Sequence, residues 1–229
     1  MSAFPNSPVD PRTFFEETIP ALFAEWVPEE RERGVDVKLG VVLHSAVDDE
    51  GGDWTLHFTA GELHVLAGRA TDCDLTIVQS VSDWRSAIWE GRPALIADGV
   101  AALTKSGPAG LRPPGGEAGE GNPEALKQLS DLEGLIEAVI AGDPDPADVK
   151  DGGRVDWRIG VQFGTGPIRD SPDATIQLGT GQAEAIRSGD LHPVEALITG
   201  QLRLEGDLGL IIQLQAIAMM AAPRPSPSG

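Results

Sequence analysis

The sequence predicts an α+β fold built twice, and three observations lead there. Apolar and polar residues alternate over several short runs, the mark of strands with one dry and one wet face. Four sequence patterns recur in the same order in the two halves of the chain. The stretch from Leu208 to Ala222 carries no charged side chain, so it reads as a helix covered on more than one side.

The elements follow in order. Residues 1–12 read as disordered, and a helix is expected from Thr13, with Glu16 at capping-box spacing and Phe15, Ile19, Leu22, Phe23 and Trp26 on one face. Pro20 inside that run should kink it. Over 35–43 every odd position is apolar (Val35, Val37, Leu39, Val41, Leu43), while Asp36 and Lys38 face the other way. A turn at 48–53 leads to a strand on Trp54, Leu56 and Phe58. A second turn at 60–62 returns the chain along 63–66, and Leu75 and Ile77 alternate in a further strand. A helix is expected over 82–90 with Ser82 as its N-cap and Gly91 past its end, and a weaker one over 93–103. Residues 105–122 hold six Gly and three Pro and read as a linker. Asn122-Pro123 should open a helix in which Leu126, Leu129, Leu132, Ile136, Val139 and Ile140 keep helical spacing up to Gly142. Trp157, Ile159, Val161 and Phe163 then alternate as a strand. After it come an alternating run at 173–178, short helices between Glu184 and Leu197, the strand at Leu202 and Leu204, and the uncharged helix.

The repeat sets Trp54 to Phe58 against Trp157 to Val161, Asp74 to Ile77 against Asp173 to Ile176, and Ala87 to Gly91 against Ala185 to Gly189; Pro93 to Ile96 then parallels Pro193 and Ala196 to Ile198. The strand at 35–43 has no evident partner in the second half. The expected division is an N-terminal half over 1–104, a linker over 105–122, a C-terminal half over 123–222 and a short disordered tail over 223–229.

Composition narrows the function. Seventeen basic residues against 36 acidic ones give a formal charge of -19. Such a surface repels nucleic acid and anionic lipid, so no nucleic-acid partner is expected. A single cysteine, Cys73, excludes an internal disulfide and suits a reducing, cytoplasmic setting. Met1 to Asn6 offers neither a basic segment nor an apolar core, so no secretory signal is expected. The 15 uncharged residues from Leu208 fall short of the roughly 20 a membrane span needs, so stable membrane insertion is not expected.

Catalytic or metal chemistry has little support. His44, His57, His64 and His192 do not reproduce a zinc-ligand spacing and read as surface imidazoles. Gly164-Thr-Gly166 and Gly179-Thr-Gly181 lack the context of phosphate loops and read as turns. Cys73 has no neighbouring base, and no nucleophile elbow occurs. Asp74 and Asp173, at matched places in the repeat, read as capping groups at strand starts. Trp84 and Trp89 read as core.

Residues 173–214 carry a more specific signal. They run Asp173-Ala-Thr-Ile176, then Ser188-Gly-Asp-Leu-His-Pro193, then Ala196-Leu197, Gly200-Gln-Leu-Arg-Leu-Glu-Gly-Asp207 and the uncharged helix. In these motifs the chain resembles the sterol carrier protein-2 family nearly position for position, and residues 54–97 resemble it more loosely. The resemblance implies a five-stranded, mainly antiparallel sheet covered by helices, with an apolar tunnel for sterols, fatty acids or related lipids. It implies no catalytic residues and no cofactor.

The residues themselves suit such a site, because an acyl chain gains about 0.8 kcal/mol per buried methylene. They leave open whether the uncharged helix is ordinary core or one wall of a ligand tunnel. On the tunnel reading the ligand-binding residues are Leu202, Leu204, Leu208, Ile211, Ile212, Leu214 and Met219. An interaction module with a filled core, or an accessory domain of an enzyme system, is the alternative.

Overall fold

The computed structural model describes residues 4–24, 27, 34, 36–45, 50–93, 101, 128–129, 131–142 and 156–221. Most of the expected helix at 93–103, the linker, the helix start at Asn122, Trp26 and the tail at 223–229 lie outside the described residues. The described residues form an α+β structure around one open sheet in the order β3-β2-β1-β4-β6-β5-β7-β8. Its strands are β1 (Asp36–His44), β2 (Gly52–Thr59), β3 (Glu62–Ala67), β4 (Leu75–Ser80), β5 (Gly134–Ala141), β6 (Trp157–Phe163), β7 (Ala174–Gly179) and β8 (Leu202–Gly206). Five pairings are antiparallel; β1 with β4 and β5 with β7 are parallel. The sheet is therefore mixed, and it has eight strands where the resemblance implied five.

The same three-strand unit occurs twice. In β2-β1-β4 and again in β6-β5-β7, the middle strand pairs antiparallel with one neighbour and parallel with the other. An aspartate closes each parallel pair in the same way. The Asp74 N–H donates to the Lys38 carbonyl at 2.9 Å, and the Asp74 carboxylate accepts the Lys38 N–H at 2.8 Å. Asp173 does the same with Leu135, at 2.8 Å and 2.7 Å. Both aspartates thus cap strand starts, as their matched positions suggested.

This equivalence corrects two sequence expectations. The strand at 35–43 does have a counterpart, β5, which the helical spacing of Ile136, Val139 and Ile140 had disguised. β5 lies inside the sheet with Leu135 and Val139 buried on one face and Ile136 and Ile140 on the other. A strand covered on both faces loses its alternation and reads as a continuous apolar run. The pairings also shift the tryptophan match by two residues. Leu39 sits opposite Leu56 and its equivalent Ile136 sits opposite Val161, so Trp54 corresponds to Ile159 and not to Trp157.

Among the described residues the helices are α1 (Pro11–Thr13), α2 (Ile19–Phe23), α3 (Val81–Trp89), α4 (Thr180–Ser188), α5 (Pro193–Ile198) and α6 (Leu208–Ala221). Two N-caps differ from expectation. Asp10, not Thr13, caps the first helix by accepting the Thr13 N–H at 2.9 Å. Ser80, not Ser82, caps α3 by accepting the Asp83 N–H at 3.0 Å. Between α1 and α2, Phe14–Thr18 form a π-helical turn. It lies just before Pro20 and accommodates the missing donor without ending the helical run.

Helices and sheet bury three apolar clusters. At the N-terminal end Phe14, Phe15, Trp54 and Trp84 pack edge-on or stacked, with Phe15 and Trp54 rings 4.8 Å apart. In the middle, Ala87 of α3 joins Ile140, Trp157, Leu178 and Ala183. There Trp157 Nε1 donates to the Asp83 carbonyl at 2.9 Å, so α3 is fastened to a strand of the second unit. The third cluster, under α6, contains most of the candidate site.

Candidate ligand site

The loop after Gly206 determines where α6 begins. Asp173 is its anchor. Besides its two bonds to Leu135, its Oδ1 accepts from Arg169 Nη1 at 2.9 Å and its carbonyl accepts the Asp207 N–H at 2.8 Å. Asp207 in turn caps α6, its Oδ1 accepting the Leu210 N–H at 3.1 Å. The intervening Gly206 has φ 84°, and a Cβ there would lie 2.2 Å from the Asp173 carbonyl oxygen. Only glycine fits that turn. The Gly206-Asp207 pair thus delivers the helix start onto β7, beside the aspartate of the Asp-Ala-Thr-Ile strand.

Gly134 makes room for the helix on the sheet. Its φ is 146°, and an added Cβ would come within 2.6 Å of Leu210 Cδ2. Leu210 therefore rests where a side chain would otherwise stand. Leu210, Ile211 and Ile217 of α6 pack with Leu132, Ile136, Phe163 and Ala174. Around these seven buried residues lie Leu75, Leu129, Val161, Ile176, Leu204 and Leu214, each partly open. The site is thus an apolar floor of strand residues under an uncharged helix, rimmed by apolar side chains that retain some exposure.

The structure brings Leu204, Ile211 and Leu214 together in this cluster. Leu202 shares the face of Leu204, two residues along β8 and opposite Leu178. Leu208 and Ile212 point away, 49% and 63% exposed. Met219 belongs to α6, and its side chain lies outside the described residues. Sequence reasoning missed Leu75, Val161, Phe163, Ala174 and Ile176, although the alternation of 157–163 and 173–178 had already put most of them on one face. Leu132 was misplaced on a helix, and nothing local tied Leu75 to the C-terminal half.

The polar groups near the site serve structure. Arg187 pairs with Glu184 and Arg169 with Asp173. His192 Nδ1 accepts the Val194 N–H at the start of α5, and His57 bonds Asp36 on the sheet's other face. Among the described residues no group of three or more His, Cys, Asp or Glu side chains could hold a metal ion, and no helix is long and apolar enough to cross a membrane. Cys73 is buried, and that burial raises its pKa and keeps the thiol protonated.

Residues 117–219 match the SCP-2 sterol transfer family, and the repeated unit before them lies outside the match. A search of curated proteins finds no match. Solved structures similar to parts of the chain include the sterol carrier protein domain 2 of Helicoverpa armigera, at 18% identity over 46% of this chain and 82% of that one, TM-score 0.30. Sterol carrier protein 2 from Yarrowia lipolytica in its apo form is similar at 14% identity over 43% of this chain and 76% of that one, TM-score 0.28. Sterol Carrier Protein 2 Like 2 from Aedes aegypti is similar at 16% identity over 43% and 95%, TM-score 0.24. The family match supports a lipid-binding or carrier role in general terms.

Proposed function

We propose that the protein holds a hydrophobic small molecule, a sterol, fatty acid or related lipid, between α6 and the sheet, and carries it without catalysing a reaction. The observation that carries this reading is the uncharged helix α6 over a cluster whose rim, Leu75, Val161, Ile176, Leu204 and Leu214, stays partly open. Sites of this kind are apolar and concave with few polar groups. The proposed binding set is Leu202, Leu204, Leu208, Ile211, Ile212, Leu214 and Met219. Leu204, Ile211 and Leu214 touch the ligand under the helix, while Leu208 and Ile212 lie on its exposed side. Because Arg169 and Arg187 are committed to carboxylates, a neutral sterol or a fatty acid suits the site better than a multiply phosphorylated CoA ester. The proposal includes a cytoplasmic setting, from the single buried thiol, and two related halves divided at residues 105–122.

Organic extraction of the purified protein followed by mass spectrometry is the test. A co-purifying hydrophobe supports the reading. A protein that is lipid-free and does not take up a fluorescent fatty acid at micromolar concentration contradicts it. A second reading, an interaction module on the same fold, draws on the exposed apolar side chains of α5, where Ile198 is 80% exposed. It expects association with a protein partner that Ile198→Ser weakens while lipid uptake is unchanged.

A further inference from the structure

We infer that the ligand site is composite: Leu75, from the N-terminal unit and outside the family-matched segment, forms the wall that limits ligand shape toward that unit. The inference rests on the carrier reading above and adds a residue to it. Leu75 packs against the cluster under α6 and remains partly open. It stands opposite Phe163 in the pairing of β4 with β6, and Phe163 stands opposite Gly134 in the next pairing. Gly134 is where Leu210 of α6 rests. One row of side chains therefore crosses the seam from the floor of the site to Leu75, small at Gly134 and large at Phe163 and Leu75.

The wall is also fixed. The residue before it, Asp74, is clamped to Lys38 by two hydrogen bonds. The Asp74 carbonyl accepts the Gly164 N–H at 3.1 Å, which ties the same backbone to the end of β6. A backbone held from both sides leaves Leu75 only a change of rotamer with which to make way for a bulky ligand. A rigid, broad sterol should therefore feel a change at position 75 more than a flexible acyl chain does.

The test titrates the delipidated full-length protein with a fluorescent sterol and a fluorescent fatty acid, in wild type, Leu75→Trp, Leu75→Met and Leu204→Trp. Val41→Ala, in the separate N-terminal core, is the control for general destabilisation. Leu75→Trp is expected to weaken sterol binding about tenfold, the scale of one overpacked side chain, and fatty-acid binding less. Val41→Ala should leave both affinities unchanged. If Leu75→Trp does not fold, Leu75→Met is expected to shift the sterol-to-fatty-acid affinity ratio about twofold or more, as a shape change at a lining position does. Wild type that binds neither probe sinks the carrier reading itself. Wild type that binds, is blocked by Leu204→Trp and ignores every Leu75 variant overturns the composite wall alone.

Discussion

Asp173 makes four hydrogen-bonding connections: two with Leu135, one with Arg169 and one with Asp207. These bonds give Asp173 its role: a strand start and a helix start are held together by one carboxylate and one carbonyl, and Gly206 is the residue that lets them approach. Gly206→Ala is expected to destabilise the fold by about 2 kcal/mol or more, because it combines a strained backbone with a contact on a carbonyl oxygen; chemical denaturation measures it. The corrected cap gives a sharper pair. Ser80→Ala should cost about 1 kcal/mol, and Ser82→Ala, at an exposed position past the cap, about 0.5 kcal/mol or less.

Asp83 gives a pH signature. Burial pushes its carboxyl above the ordinary value of 3.8, against the lowering effect of its hydrogen bond from Ser80. The folded state then holds this proton more tightly than the unfolded one. Ionisation at neutral pH works against folding, and that penalty is relieved as pH falls through the raised folded value toward 3.8. Asp83→Asn should remove this component, so the variant's melting temperature, relative to wild type, is expected to be higher at pH 7 than at pH 4.

At the scale of elements, α6 divides into two faces that composition could not separate. Ile211 is buried and Ile212 is exposed, although both sit in the same uncharged run. Ile211→Ala should cost about 2–4 kcal/mol and weaken lipid uptake, while Ile212→Ser should change stability by about 0.5 kcal/mol or less; thermal melts and the fatty-acid titration read both. Other elements were legible where one side is wet and one dry. β1, β2 and β6 announce themselves by alternation, and β8 does so through Leu202 and Leu204. β5 did not, because burial on both faces erases the period that identifies a strand. Its apolar residues then matched helical spacing by coincidence.

At the scale of the molecule, two similar units follow one another along a single sheet. The strand directions make this a translation, with β4 of the first unit pairing with β6 of the second, and not the two-fold relation of a dimer. β3 and β8, each without a counterpart in the other unit among the described residues, terminate the two ends. The repeat itself was visible in Asp74 and Asp173, whose equivalence the hydrogen bonds bear out. The seam was not, since pairing between strands remote in sequence leaves no local pattern. It follows that the cluster under α6 draws Leu75 from the other half, which the motif at 173–214 alone did not reveal. Hydrogen bonds from Trp157 to Asp83, Gln79 to Arg158 and Arg69 to Gly166 also fasten the two units across the seam.

The claim that matters most is that a hydrocarbon lies between α6 and the floor beneath it. Titration of the delipidated full-length protein with a fluorescent fatty acid, beside the Leu204→Trp variant, addresses it directly. Saturable micromolar binding by the wild type, lost in the variant while its fold persists by circular dichroism, is the predicted result. Equal binding by both proteins, or none by the wild type, would contradict it.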